Sequence, residues 1–110
     1  MPEDPAAVHG SGIEVRSSPG DAPWRRDVEA MFVAEGLTPH AWENGAGYSY
    51  ASHAHEYHKV LVCVRGSIVF HVDTGDVELA PGDRMELPGG AAHGATVGDD
   101  GVECVEAYRT

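Results

Sequence analysis

Short runs rich in β-branched residues, separated by turns that contain glycine or proline, fill the greater part of the chain. The longest runs are 59–65, 67–72 and 102–108. Many short strands at this spacing are typical of a sandwich or barrel of antiparallel strands. We therefore predict an all-β fold, with a break at Gly66, a turn at 98–101, and further short strands at 13–16, 77–79, 84–87 and 95–97.

One amphipathic helix is predicted ahead of most of these strands. Its apolar positions recur with helical spacing and form a single stripe, made of Trp24, Val28, Met31 and Phe32. Asp21 is expected to cap the helix, and Gly36 is expected to end it. The helix is thus predicted over 23–35, and its stripe must pack against the strands that follow.

Length, composition and charge exclude several classes of protein. The 110 residues are 42% hydrophobic, which suits one compact domain, expected over 13–110 after a loose tail at 1–12. The net charge of −11 would repel nucleic acid and anionic membrane surfaces. No apolar run approaches the ~20 residues needed to span a bilayer, and the first residues lack the pattern of a signal peptide. We therefore expect a cytoplasmic protein that binds neither nucleic acid nor membranes.

Two histidines one residue apart, His53 and His55, precede the run that ends at Gly66. On an extended segment this spacing places both imidazoles on one face, because strand side chains alternate. A third histidine, His93, follows the turn at 81–83 and belongs to a separate strand-like segment. Imidazole ligates Fe, Mn, Ni, Cu and Zn alike. Together the three predict a site for one divalent transition metal whose identity stays open.

The spacing around these histidines resembles the two sequence motifs of the cupin superfamily. Residues 47–66 match the first motif, G-x5-H-x-H-x3,4-E-x6-G, at both glycines and both histidines. Residues 82–97 match the second, G-x5-P-x-G-x2-H-x3-N, as far as its histidine, and 15 residues separate the two motifs. The resemblance implies a cupin-type antiparallel β-barrel, a jelly roll of the RmlC-like kind, with the metal inside the barrel mouth.

Two positions depart from these motifs. The family's glutamate ligand is replaced by Lys59, whose protonated ammonium cannot ligate a cation, and its final asparagine is replaced by Val97. Lys59 is either an exposed strand residue or, by strand parity, an inward one that holds the carboxylate of an anionic substrate or of Glu86. Tyr57 flanks the first motif and can line the pocket mouth, although strand packing explains it equally well.

The missing glutamate leaves four interpretations of the metal site open. In the first, His53, His55 and His93 bind the metal alone and leave positions for water or substrate. In the second, His58 is a fourth ligand, although it lies on the opposite face of a regular strand. In the third, Glu56 or Glu86 supplies a carboxylate. In the fourth, the histidines line a barrel that holds no metal.

Three classes of function remain open, and the sequence identifies no catalytic residue. The first is a metal-dependent enzyme, dioxygenase-like or of the isomerase or lyase kind, acting on a small and, in one interpretation, anionic molecule. The second is a sensor that binds a small molecule or a metal without converting it. The third is a metal-free sugar-binding or epimerase-like cupin in which the histidines act as acid and base.

The run at 59–65 is apolar on both faces, so both faces must be covered. Val60, Val62 and Val64 are predicted to point outward, away from the barrel interior. The helix can cover part of this surface and a second subunit can cover the rest. We therefore expect a homodimer.

Overall fold

The computed structural model describes residues 7–9, 12–17 and 22–109. Its elements are, in chain order, β1 (Ala7–His9), β2 (Ile13–Arg16), α1 (Arg25–Ala34), β3 (His40–Asn44), β4 (Ser49–His53), β5 (His58–Val72), β6 (Gly75–Leu79), β7 (Arg84–Leu87) and β8 (His93–Arg109). Within these described residues, antiparallel pairing joins the eight strands into one sheet. The predicted all-β fold with one short helix is confirmed.

The long strands β5 and β8 pair with each other and form the middle of the sheet. β7 pairs with the first part of β5, and β6 pairs with its last part. In the same way, β4 pairs with the first part of β8 and β3 with its later part. Sharing the two long strands folds the sheet over on itself as in a jelly roll. Its hydrogen bonding does not close into a complete barrel, because the path of paired strands runs from β1 to β3.

Both long strands continue through positions where we expected them to end. Gly66 lies inside β5, and the predicted turn at 98–101 lies inside β8. The pairing of the two strands shifts register around Gly66, which faces Val102. Gly66 and Gly101 both have positive φ, 74° and 77°, so each strand bends there without ending. Glycines of the kind that form turns therefore lie here within strands that bend and continue.

Alternate residues of the run at 59–65 enter two different hydrophobic clusters. Leu61 and Cys63 belong to the core enclosed by the folded sheet. Val60, Val62 and Val64 belong to a second cluster on the outer face, together with Val28 and Phe32 of α1, Val105 and Ala107. The predicted alternation is therefore present. Because α1 buries this outer face to 6% exposure or less, the face no longer gives a reason for a second subunit.

The helix differs from its prediction at its start. It begins at Arg25, and Trp24 is its N-cap without a side-chain cap, whereas Asp21 lies outside the described residues. Val28 and Phe32 are buried, but Trp24 is 71% exposed and Met31 38% exposed. Helical periodicity holds only inside a helix, and Trp24 precedes the first turn. Its side chain therefore does not continue the buried stripe.

The N-terminal segment contains a strand that we did not predict. Ala7–His9, which falls within the expected loose tail, pairs with β2. β2 pairs in turn with β7, so the segment extends the sheet beyond β7. Residues 1–6 and 10–11 lie outside the described part of the chain. Among the described residues, no helix has the length and apolar character required to cross a membrane.

Candidate metal centre

The structure brings together the three histidines that the sequence singled out. His53 ends β4, His93 begins β8, and the two are paired directly across these strands. His55 follows β4 by two residues. The centroid of its ring lies 4.7 Å from that of His53 and 5.4 Å from that of His93. One ring nitrogen from each lies within 4.8 Å of the others. Strand pairing and the H-x-H spacing together create this cluster.

Backbone carbonyls orient two of the three rings. Nδ1 of His53 is 2.8 Å from the carbonyl oxygen of Ala51, and Nδ1 of His93 is 2.9 Å from that of Ala91. Because a carbonyl only accepts hydrogen bonds, each Nδ1 carries the proton and donates it. Nε2 of both rings therefore keeps a free lone pair, which is the form that ligates a metal.

The ring of His55 provides an independent test of whether the cluster fits a metal ion. Nε2 of His55 is buried and has no hydrogen-bond partner in the described structure, and such a nitrogen requires a partner. Three nitrogens that share an ion at about 2.1 Å lie at most about 4.2 Å apart. The ligand atoms lie within 4.8 Å of one another, so an approach of at most about 0.6 Å by the side chains brings them to this distance. The cluster therefore fits a divalent metal ligated by imidazole.

The surroundings of the cluster favour the neutral form of two of its histidines, His55 and His93. Burial lowers the pKa of His55, and the charges of Lys59 and His53 lower it further. Burial also lowers the pKa of His93; the hydrogen bond to Ala91 opposes this change, and His53 and Lys59 add to it. A neutral imidazole is the ligating form, so these effects favour metal binding near neutral pH.

The cluster opens into a cavity of about 440 Å³, a size that suits a small organic molecule. Its lining combines the edge of the cluster, an apolar wall and a polar group of side chains, and includes His53, His93, Trp42, Tyr50, Leu61, Ile68, Phe70, Ala95, His40, Asn44, Lys59, Glu106 and Tyr108. Nε1 of Trp42 is buried and has no hydrogen-bond partner in the described structure. It is a donor available to a ligand.

Lys59 points into this cavity rather than into solvent. Its Nζ is 3.5 Å from Oε2 of Glu106, and the two side chains are 15% and 12% exposed. The charge of Glu106, together with burial and a hydrogen bond to the same carboxylate, raises the pKa of Tyr108 to about 12. Our sequence reasoning missed Glu106, because only the pairing of Leu61 with Glu106 places it on the inward face beside Lys59.

The other candidate residues lie outside the cluster. Nε2 of His58 is 2.9 Å from Oε1 of Glu86, and the same oxygen accepts a hydrogen bond from Arg109. Neither His58 nor Glu86 lines the cavity, as the strand parity of His58 indicates. Glu56 is exposed. Tyr57 does border the cluster, because its ring stacks on His55 with centroids 4.9 Å apart.

Comparisons with known proteins agree with this architecture. No curated protein matches the chain in sequence. Similar solved structures include RmlC from Streptococcus suis in complex with dTDP-D-xylose, with 16% identity, 98% of this chain and 71% of that chain covered, and a TM-score of 0.66. KdgF from a Halomonas species has 17% identity, 97% and 90% coverage and a TM-score of 0.56.

A third similar structure is the DMSP lyase DddQ from Ruegeria pomeroyi DSS-3, with 23% identity and a TM-score of 0.62. The match covers 67% of this chain but only 38% of the lyase. At such identities the likeness concerns the fold. The family model of the cupin domain matches residues 40–108, which include both histidine motifs and the cavity. The chain therefore belongs to the cupin family.

Proposed function

We propose that this protein binds one divalent transition metal through His53, His55 and His93 and holds a small anionic molecule in the adjoining cavity. The observation that carries the proposal is the convergence of three imidazoles, two of them oriented by backbone carbonyls and the third with a buried, unpartnered nitrogen. When bound, such a metal keeps its full charge among neutral ligands and polarises the oxygen of a ligand as a Lewis acid.

The remaining residues of the pocket suit recognition of that ligand. Lys59 and the indole of Trp42 are hydrogen-bond donors in the lining. The apolar wall excludes water from one side of the cavity and so strengthens polar contacts on the other side. An oxygen-rich anion that chelates the metal would accept hydrogen bonds from these donors, whereas a cation would be repelled by Lys59.

Conversion of the ligand belongs to the same proposal as its finer part. An isomerase-like or lyase-like reaction requires a group that moves a proton, and Glu106 is a buried carboxylate in the lining. A dioxygenase-like reaction would need only the metal and its open positions. The metal-free, epimerase-like alternative is less well supported, because the Nδ1 atoms of His53 and His93 bond to carbonyls rather than to carboxylates.

Metal analysis of purified protein, stripped with chelator and reloaded with each candidate metal, tests the proposal. We expect about one equivalent per chain and its loss in His93→Ala, because one of three ligands is removed. His58→Ala is the matched control and should retain the metal, since its ring bonds to Glu86. Uptake that is equal in the wild type and in His93→Ala would overturn the proposal.

A homodimer remains a prediction. The outer face of the run at 59–65, from which the dimer was predicted, is covered by α1. The dimer is now supported by exposed apolar side chains on and beside the helix. Trp24 is 71% exposed and Val33 62% exposed. Light scattering of the purified protein would determine the mass, and a monomer at all concentrations would exclude the dimer.

A further inference from the structure

The lysine in the ligand pocket creates an electrostatic conflict with a metal. Lys59 occupies the motif position at which the family carries a carboxylate ligand, and its ammonium faces the same cavity as the histidine cluster. Lys59 lines this cavity together with His53 and His93, two of the three side chains that would hold the ion. A dication at the cluster would therefore be repelled by the charge of Lys59.

The carboxylate of Glu106, in the lining of the same cavity, balances the charge of Lys59. Glu106 lies 3.5 Å from Lys59, on the neighbouring strand β8, and its side chain is 12% exposed. Like Lys59, it lines the cavity beside His53 and His93. It is not among the groups whose ligand atoms converge on the cluster. Its position therefore suits a counter-ion beside the metal site better than a ligand of the metal.

We infer that Glu106 is the counter-ion that balances the charge of Lys59 and so allows a metal to bind beside it. When an anionic ligand enters, its anion replaces Glu106 as the partner of Lys59, and this exchange makes the pocket selective for anions. This inference rests on the proposed function. With three neutral histidines and a neutral pair, the pocket of the loaded protein carries the two charges of the metal. A glutamate at position 59, beside the carboxylate of Glu106, would cancel both.

Two consequences separate this role from other roles of the same residues. The charges of Lys59 and Glu106 oppose each other at the metal, so removal of either one changes metal affinity in opposite directions. An ion pair that only supported the fold would give the same direction for both variants. A carboxylate that ligated the metal would give a loss that removal of Lys59 does not repair.

The first experiment measures metal affinity by competition with a chromogenic chelator, using Co²⁺ as the probe. We expect Glu106→Gln to bind Co²⁺ about 10-fold more weakly and Lys59→Met about 10-fold more tightly. The double variant should return to within about 3-fold of the wild type. The visible spectrum of bound Co²⁺ should be the same in Glu106→Gln and the wild type, because the ligands are unchanged.

Glu103→Gln is the matched control for this series. Glu103 lies on the same strand and is also ion-paired, with Arg25 and Arg65, but it does not line the cavity. It should leave Co²⁺ affinity unchanged. Equal affinities in all variants, a loss in both single variants, or a double variant as weak as Glu106→Gln would each overturn the inference.

The second experiment measures binding of malonate to the Co²⁺-loaded variants by calorimetry. Removal of Glu106 frees Lys59 for the anion, so Glu106→Gln should bind malonate about 10-fold more tightly than the wild type. Lys59→Met should bind it more weakly. The reverse order, or no malonate binding in any variant, would overturn the exchange of anions.

Failure of the two proposals can be distinguished. If the wild type takes up no metal, or if His93→Ala takes up as much, the metal site itself is wrong and this inference falls with it. If uptake depends on His93 but does not respond to Lys59 or Glu106, only the inference falls. Thermal unfolding of each metal-free variant identifies any that are not folded, and Glu106→Asp then serves in place of an unfolded Glu106→Gln.

Discussion

At Gly66 the backbone of β5 passes so close to β8 that no side chain fits between them. A Cβ placed there would lie 1.9 Å from the carbonyl oxygen of Gly101 and 3.1 Å from the Cα of Val102. The contact is backbone against backbone, so no flexible side chain can move aside. This approach allows the two longest strands to stay paired on both sides of the register shift at Gly66.

Gly66→Ala should therefore destabilise the protein more than its backbone angle alone explains. We expect a loss of about 3 kcal/mol in the free energy of unfolding, from the left-handed conformation and the steric clash together. Urea unfolding measures this loss.

Gly47→Ala is the matched control for Gly66→Ala. Gly47 has the same φ of 74°, but a Cβ there meets nothing within 4 Å. It should cost about 1 kcal/mol, which is the conformational part alone. Equal losses for the two variants would show that the close approach to β8 has no energetic weight.

The sequence allowed the histidine cluster to be predicted but not its charged neighbour. His53, His55 and His93 follow from short-range spacing and from two motifs that can be read locally. Glu106 enters the pocket only because β5 pairs with β8 in one particular register, Leu61 opposite Glu106. Leu61 and Glu106 are 45 residues apart in sequence, and the register between such distant residues depends on the packing of the whole sheet, so local pattern does not contain it.

Among the elements, α1 is attached to the sheet through a small part of its surface. Phe32 is fully buried and Val28 is 4% exposed, and both pack on the outer face of β5. The guanidinium of Arg84 lies 5.5 Å from the ring centroid of Phe32 and covers one side of it. Most of the contact energy of the helix should therefore come from one aromatic side chain.

Phe32→Ala should cost about 3–5 kcal/mol, because it empties a closed space between α1 and the strands β5 and β8. Val33→Ala, on the next residue of the helix, should change stability by less than about 0.5 kcal/mol, since Val33 is 62% exposed. Chemical denaturation followed by circular dichroism measures both. Similar losses in the two variants would mean that α1 is not held by the packing of Phe32.

The elements also show where local patterns mislead. The inward and outward faces of the run at 59–65 follow from alternation, and the helix that covers the outward face follows from its own periodicity. The extent of the strands does not follow. Glycine-containing turns and glycine-containing bends have the same local chemistry, and β8 continues through residues 98–101 because β5 pairs with it on both sides of this segment, at Val97 and at Val102. The partners of a strand decide this, not its own residues.

Across the whole molecule, a network of ion pairs joins the end of α1 to β5, β7 and β8. Arg84 of β7 donates two hydrogen bonds of 2.7 Å to Glu35, which follows the last turn of the helix. Arg109 near the end of β8 lies 3.7 Å from Glu35 and donates to Glu86, which also contacts His58. The network therefore connects the helix to the two central strands in a chain whose net charge is −11.

Acid should weaken this network in a defined range of pH. The hydrogen bonds of Arg84 lower the pKa of Glu35 from its ordinary value of 4.5, an effect that burial opposes. The carboxylate is thus more acidic in the folded chain than in the unfolded chain. Its contribution to stability is complete above pH 4.5, declines below that value, and is lost once the pH falls through the folded pKa.

Glu35→Gln imitates the protonated carboxyl and isolates this contribution. We expect the wild type to exceed the variant by about 1 kcal/mol in the free energy of unfolding at pH 7. The difference should vanish at a pH below the folded pKa of Glu35, because both chains then carry a neutral side chain at this position. Urea unfolding across pH 2.5–7 measures it. Glu78→Gln, an exposed substitution on β6, should match the wild type throughout. A gap between wild type and Glu35→Gln that persists at the lowest pH would show that the charge of Glu35 does not hold the helix to the sheet.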